Sequence, residues 1–309
     1  MRHIEFVIDE AYDGKKVVAY LRGQAKLSAR LVNSLKRIEK GITLNGEHIR
    51  TIDLLRKGDI LAVNIPEDSN SIEPVEYPLD IVYEDNDIIV INKPAGLAMH
   101  PTHNHQGDTL ANAVTAYFVS KGKNTAFRAV GRLDKSTSGL VICALNKYSA
   151  ASLAGNFEKT YFALVKGHFE GNGTIDRPIY RPDPMKTLRA VGDEGDSAVT
   201  HWQCQWTDGE ISLMKVTLET GRTHQIRAHM AHIGHSLLGD GKYGVNRDDR
   251  DSGYKYQALY SYRLIFDFKD SSGALGYLRG RQVSLDPHDI WFVQNFPGGY
   301  EKISAISKK

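Results

Sequence analysis

Residues 129–144 read Ala-Val-Gly-Arg-Leu-Asp-Lys-Ser-Thr-Ser-Gly-Leu-Val-Ile-Cys-Ala, and the fold follows from them. The stretch holds one carboxylate, Asp134, between Arg132 and Lys135. A turn of small residues, Ser136 to Gly139, comes next, and then an unbroken apolar run from Leu140 to Leu145. Such a run, bounded by turn residues, predicts a buried strand. A short polar loop thus delivers one acid to the start of a core strand, where it is rigidly held and able to meet a substrate. In most proteins an Asp so placed is a turn residue that bonds the backbone two residues on. A phosphate loop is excluded, because the position before the Lys must be Gly and here it is Asp134.

After this strand, residues 146–157 have the pattern of a helix, and Lys159 to Gly167 that of a strand. Alternation puts Tyr161, Ala163 and Val165 on one face and Phe162 and Leu164 on the other. Residues 181–196, with two prolines and two glycines, predict an exposed loop or a substrate-side hairpin. Residues 198–206 and 211–219 predict paired strands around Thr207-Asp208-Gly209. Then comes Thr220-Gly-Arg-Thr-His-Gln-Ile-Arg-Ala-His-Met-Ala-His. Thr223 is placed to cap a helix running to about Ile233, and Arg222, His224, Gln225 and Arg227 crowd its first turns, which suits an anion. Residues 257–268 and 282–287 predict further strands, residues 289–296 end the fold, and 304–309 are a frayed tail.

Upstream, 81–83 and 88–91 predict two strands around an Asp-Asn-Asp turn, followed by the loop Asn92-Lys93-Pro94-Ala95-Gly96-Leu97. His100, His103 and His105 come close together, with Asp108 beyond, but a Pro/Gly/Asn-rich loop has no framework to aim them at one metal ion. Residues 109–118 predict a helix on the sheet. No Gly-rich nucleotide loop alternates with these elements. The architecture expected is α+β, a mixed and mainly antiparallel sheet with flanking helices.

The segment before residue 66 differs in charge. The whole chain of 309 residues carries +2, yet Gly14 to Asp59 has 11 Lys/Arg against 4 Asp/Glu, a net of +7. Leu27, Leu31, Leu35 and Ile38 line one face of a helix with Ser28 as N-cap and Gly41 as C-cap, leaving Arg30, Lys36, Arg37 and Lys40 outside. Asn45-Gly46 is a hairpin signal. A helix with several Lys and Arg is usually only a solvated face. Joined to this charge imbalance, it predicts a module that tracks RNA phosphates. Residues 67–80 are acidic and proline-containing, an extended connector that leaves the module free to move.

Composition narrows the setting. Hydrophobic residues make up 41% and charged residues 25%, as in ordinary globular proteins. No run approaches the roughly 18 apolar residues that span a bilayer, and the start shows no signal-peptide core. Cys143 and Cys204 have no metal or redox spacing, so a reducing, cytoplasmic setting is expected, with Cys143 packed as a small hydrophobe.

The motif Gly-Arg-Leu-Asp-x-x-Thr-Ser-Gly-Leu at 131–140 resembles the signature loop of the RluA-type pseudouridine synthases, in which the Asp is catalytic. One departure is Gly131, where that family often has His. Asn92-Lys93-Pro94 with Gly96 and His100-Pro101, Lys-x-Tyr-x-Ala-x-Val-x-Gly at 159–167, and Gly-Arg-Thr-His-Gln-Ile-Arg-x-His from 221 with Gly239-Asp240 and Tyr243-Gly244 resemble the family's further motifs, in family order. The basic segment resembles the S4 RNA-binding domain through Leu27 to Leu31, Lys40-Gly41, Thr43 to Gly46 and Lys57 to Ile60. The resemblance implies an S4-like domain over 1–66, a linker over 67–80 and a pseudouridine synthase catalytic domain over 81–309. It implies that Asp134, Tyr161 and Arg227 are catalytic, with Arg227 ion-paired to Asp134, and that Arg132, Arg222 and Gln225 join Arg30, Lys36, Arg37 and Lys40 in contacting RNA.

The reaction implied detaches uracil from C1′ of a flipped uridine, turns it and reattaches it through C5. It is an isomerisation that needs no cofactor and no metal. Whether Asp134 acts as nucleophile or base is open. Large-subunit ribosomal RNA is the preferred substrate, with transfer RNA as the alternative; a monomer with no membrane partner is expected. Two rivals are a non-catalytic RNA-binding or ribosome-assembly protein and a glycoside-type hydrolase. The hydrolase wants a second carboxylate roughly 5 to 10 Å away, which these motifs do not supply.

Overall fold

The computed structural model describes residues 1–67, 70–102, 105–244, 253–269, 273–286 and 290–292. The N-terminal part is a four-stranded antiparallel sheet with two short helices. Its elements are β1 (Arg2–Val7), α1 (Val17–Gly23), α2 (Ala29–Leu35), β2 (Ile42–Leu44), β3 (Glu47–His48) and β4 (Ile60–Ile65), in sheet order β1-β4-β2-β3. The Ser28 side chain accepts the Leu31 N–H and caps α2 as expected. The helix stops at Leu35, six residues before Gly41, so Gly41 is not its C-cap. There a Cβ would lie 2.2 Å from the Leu35 carbonyl oxygen, which makes Gly41 a close-approach position instead.

The body contains β5 (Asp80–Glu84), β6 (Ile88–Lys93), α3 (Leu110–Ser120), β7 (Ala129–Val130), β8 (Ser138–Ala144), α4 (Lys147–Leu153) and β9 (Phe157–Lys166). It continues with β10 (Asn172–Asp176), β11 (Ile179–Tyr180), β12 (Ala190–Val191), β13 (Val199–Thr207), β14 (Ile211–Leu218), α5 (Gln225–His232), β15 (Leu259–Phe266) and β16 (Gln282–Ser284). The main sheet runs β10-β13-β14-β9-β15-β8-β6-β5, with β7 beside β8 and β16 beside β15. Every pairing is antiparallel except β15 with β8. The α+β class and the mainly antiparallel sheet are as the sequence predicts. At the parallel junction Gly139 has φ +105°, and a Cβ there would lie 2.2 Å from the Ser261 carbonyl oxygen. The chain can approach that closely only because the side chain is absent.

The alternation along β9 sorts the core as expected. Tyr161, Ala163 and Val165 pack with Leu110, Val114 and Phe118 of α3 and with Ile226 and Met230 of α5. Phe162 and Leu164 face the other way, into a cluster that holds Tyr148 and Leu153 of α4. Cys143 is fully buried in the strand, and burial pushes its thiol up to about 12, so it packs as an inert hydrophobe. No helix among the described residues is long and apolar enough to cross a membrane.

The described part of the connector lies against the body. Asn70 Nδ2 donates to Thr115 Oγ1 at 2.9 Å, Asn112 Nδ2 to the Glu73 carbonyl at 2.8 Å, and the Val75 N–H to the Asn112 carbonyl at 3.3 Å. The acidic stretch is held along α3 by the Asn70 side chain and by its backbone at Glu73 and Val75. The small sheet is also anchored: Arg2 pairs with buried Asp87 at 2.9 Å, and Tyr148 Oη donates to the Ala25 carbonyl at 3.1 Å. The predictions for His103 and for residues 304–309 lie outside the described residues, as does most of 289–296.

Candidate active site

The Asp134 loop leaves the sheet after β7 and re-enters it at β8. Gly131 opens the loop with φ +75°, and a Cβ there would meet the Phe157 ring at 2.9 Å. From below, the fully buried Lys93 at the end of β6 holds two loops together. Its Nζ donates to the carbonyls of Pro94 and Leu97, both at 2.9 Å, and of Lys135 at 3.1 Å. Burial pulls this ammonium down to about 7, and the nearby charge of Asp134 opposes the shift.

Across from the loop, α5 presents Arg227. Its Nη1 donates to Asp134 Oδ2 at 2.7 Å, so the ion pair implied by the motifs is present. The other edge of the guanidinium is gripped by Asp240, Nε to Oδ2 at 2.7 Å and Nη2 to Oδ1 at 2.8 Å. Asp240 is 1% exposed and also accepts the N–H groups of Lys242 at 3.0 Å and Tyr243 at 3.2 Å. The Tyr243 ring lies 5.0 Å from the guanidinium carbon, a cation–π contact. Burial works against the Arg227 charge, but the bonds to Asp240 and the charge of Asp134 outweigh it, and the net shift is upward. Arg227 is therefore a permanent cation with no freedom to swing. The Asp134 side chain keeps 22% exposure against 5% for Arg227, so the carboxylate is the member of the pair that a ligand can reach.

His224 turns the chain into α5 with φ +58°, and no side chain caps that helix. The prediction that Thr223 does so is therefore wrong. The left-handed residue itself makes the turn, and it aims the imidazole inward. Nε2 stands 3.7 Å from Asp134 Oδ2 and Nδ1 lies 3.0 Å from Tyr243 Oη. Tyr243 Oη already accepts the Arg189 N–H at 2.8 Å, so its proton goes to Nδ1 and leaves Nε2 as the N–H facing the carboxylate. Burial holds the imidazole down at about 4, so it is neutral near pH 7.

Tyr161 reaches the same place from the middle of β9 and is 6% exposed. Burial, followed by the charge of Asp134, pushes its hydroxyl upward and keeps it a neutral phenol. Two residues earlier, Lys159 is buried with Nζ donating to the Leu140 carbonyl at 3.2 Å, and burial lowers it to about 8. Asp134, Lys159 and Tyr161 border a cavity of about 440 Å³ whose lining also includes Met99, His100, Arg132 and Thr223, and His224 and Arg227 line a smaller recess that shares Arg132, Asp134 and Tyr161 with it. The main cavity has room for a nucleoside-sized ring against a fixed carboxylate.

A family model described as RNA pseudouridylate synthase matches residues 87–232. An RNA pseudouridine synthase of Bacillus subtilis is 36% identical over 252 residues, covering 79% of this chain and 83% of that one. This chain belongs to the RNA pseudouridine synthase family. Ribosomal large subunit pseudouridine synthase D of Escherichia coli is 40% identical over 193 residues, 60% of this chain and 59% of that protein. The solved structure of human RNA pseudouridylate synthase domain containing 1 superposes with a TM-score of 0.50 at 28% identity, over 62% of this chain and 80% of that one. The activity of the family is the isomerisation of uridine within RNA.

In this pseudouridine synthase the predicted residues divide into three groups. Asp134, Tyr161 and Arg227 meet in the smaller recess, Asp134 and Tyr161 also border the main cavity, and Arg132 and Arg222 stand exposed at its rim. Arg30, Lys36, Arg37 and Lys40 are exposed on the small N-terminal sheet unit and do not line the cavity. Gln225 is a correction. It is 2% exposed, and its amide is consumed by Val199, Thr200, Thr220 and the Arg222 N–H, so it braces the loop and has nothing left for RNA. His105 pairs with Asp108 at 2.6 Å and with Lys135 at 2.9 Å. Among the described residues no group of three or more His, Cys, Asp or Glu is arranged to hold a metal. Asp240, Lys93 and Tyr243 were not picked out as site residues, and His224 only as one of the polar groups at the start of α5. Each of these stands in the quoted motifs, but nothing local marks Asp240 as the second hand on Arg227.

Proposed function

We propose that Asp134, Tyr161 and Arg227 are the catalytic residues of an enzyme that isomerises specific uridines of large-subunit ribosomal RNA. The observation that carries this is the 2.7 Å contact from a doubly held Arg227 to Asp134 Oδ2, which fixes a carboxylate that still borders the cavity. A uridine inside a stem cannot reach such a recess, so the target base is flipped out and enters it. The C1′–N1 bond breaks, the uracil turns, and a C1′–C5 bond forms. C5 gives up its proton and N1 gains one, so the mass is unchanged.

Asp134 either attacks the sugar carbon or acts as a base. Both roles need the orientation that Arg227 imposes. Tyr161 presents its ring and neutral hydroxyl to the flipped nucleotide. A hydrolase reading is disfavoured because Asp240 is buried and fully engaged behind Arg227, and Glu219, which also lines the cavity, is paired with His201 at 2.7 Å.

Large-subunit RNA is favoured over transfer RNA by the similarity to the Escherichia coli enzyme named for that substrate. The unit formed by residues 1–66 is read as an S4-like RNA-binding domain. Its four exposed cations, Arg30, Lys36, Arg37 and Lys40, support that reading. One chain supplies every residue of the site, which supports a monomer, and the substrate implies a cytoplasmic enzyme.

The test is a pseudouridine map of total RNA from cells lacking this gene, rescued with wild type or with Asp134→Asn. Positions in large-subunit RNA that vanish on deletion and return only with wild type are expected. Restoration by the Asn variant would refute the role of Asp134, and vanished positions in transfer RNA would move the substrate there.

A further inference from the structure

Beside the reacting cavity lies a second cleft of about 500 Å³. One wall is the hairpin made by β11, β12 and the loop between them; the other is the 220–223 turn. The two recesses share Arg132, Gly221, Arg222 and Thr223, so they are continuous. Four arginines line the cleft, Arg132, Arg181, Arg189 and Arg222, against two carboxylates, Glu194 and Asp196. Asp196 meets Arg222 at 3.4 Å. Arg132, Arg181 and Arg189 form no ion pair among the described residues.

Arg181 and Arg189 are also pre-set. Arg181 Nε donates to the Lys186 carbonyl at 2.8 Å, and Arg189 Nη1 donates to the carbonyls of Thr187 at 2.9 Å and Leu188 at 3.0 Å. Carbonyl partners orient a guanidinium without neutralising it, and the remaining N–H groups suit a planar or tetrahedral oxyanion. The hairpin is fixed to the reacting site as well. The Arg189 N–H rests on Tyr243 Oη, which bonds the His224 that faces Asp134.

We propose that this cleft is a phosphodiester subsite that grips the RNA backbone adjoining the flipped uridine, with Arg181 and Arg189 as its added contacts. This rests on the reading of the chain as an RNA-modifying enzyme, and it extends that reading to the position of the flanking strand. An RNA strand bound there would reach Asp134 only with its neighbouring nucleotide in the cavity, so the hairpin sets which nucleotide is presented.

The test uses full-length protein and a labelled 15-nucleotide oligouridylate, with affinity measured by anisotropy across 50 to 300 mM KCl, about the range where counterion release dominates. For Arg181→Gln/Arg189→Gln the slope of log K against log salt is expected to fall by about 1.4, since each single-strand phosphate contact contributes about 0.7. Arg181→Lys/Arg189→Lys keeps the charge and should keep most of that slope. Lys186→Gln, on the same hairpin but paired with Asp183, should leave it unchanged. A wild-type slope in the Gln pair overturns the subsite. So does an equal loss per charge in Lys186→Gln, which would mean a diffuse field. Because the readout is binding, it stands apart from the rescue by Asp134→Asn, whose failure would strike the catalytic reading alone.

Discussion

Arg227 and Arg30 both sit in the first turn of a short helix, yet one is 4% exposed with all three guanidinium nitrogens bonded and the other faces solvent. The same contrast separates the cavity from the N-terminal unit as a whole. At the cavity, charge is buried and fixed before any substrate arrives: Asp240 holds Arg227, Arg227 holds Asp134, and Lys93 ties the loops beneath. On the N-terminal unit, Arg30, Lys36, Arg37 and Lys40 stand exposed to solvent. Bond making needs groups placed to within fractions of an ångström. Phosphate tracking needs only positive charge near a flexible backbone. Removing one charge should therefore have different consequences in the two regions.

The largest effect is expected from Arg227→Ala. It frees Asp134 and leaves Asp240 buried without its cationic partner, which costs about 3 to 5 kcal/mol. Pseudouridine formation should fall below detection in single-turnover assays, and denaturant midpoints should drop. Full activity in this variant would dissolve the contrast. Asp240→Asn sharpens it: the shape is kept while one charge of the network goes, so turnover should fall by roughly tenfold or more with substrate affinity little changed, given that about 1.4 kcal/mol is a factor of ten.

Next comes pH. The Lys93 ammonium is lowered by burial to about 7, whereas in the unfolded chain it titrates near 10.4. Between those values the unfolded state binds more protons, so this group makes stability rise with pH, by up to roughly 1.4 kcal/mol per unit. Below about 7 the lysine is charged in both states, and its burial penalty is constant. Lys93→Met should remove that slope, so the stability of wild type minus variant should increase from pH 7 to pH 9.5 in urea titrations. A flat difference would show that Lys93 is solvated and that the loops beneath Asp134 are not dry.

The smallest effect is expected on the exposed side. Lys36→Gln/Arg37→Gln should leave stability within about 0.5 kcal/mol of wild type and reduce RNA affinity about tenfold or less at 0.1 M salt, uniformly across sequences. Binding isotherms on unrelated single strands check this. A large stability loss would mean that the N-terminal cations are structural after all.

Much of the site was legible because it depends on short-range pattern. The turn 136–139 before an apolar run announced the loop and strand that present Asp134, and alternation put Tyr161 on one face of β9 with Ala163 and Val165. The cap at Ser28 and the β13–β14 hairpin were equally local. Gln225 was misjudged because a polar residue at a helix start looks available until the strands at Val199 and Thr200 are folded over it. Thr223 was misjudged because a left-handed His224 is a backbone choice with no sequence signal of its own.

The sequence alone therefore determined the order of the elements, the faces of the strands, and the identity of the acid and its cationic partner. The first two follow from periods of 2 and 3.6 residues, and the acid and its partner from the resemblance of the motifs to a known family. Tertiary structure alone decided that Asp240 and Asp134 share one guanidinium, that Lys93 clamps a loop 42 residues away, and that the connector lies pinned along α3. Each of these joins groups far apart in the chain, and burial sets their charge states. Burial is a property of the packed molecule and is not encoded in any local stretch.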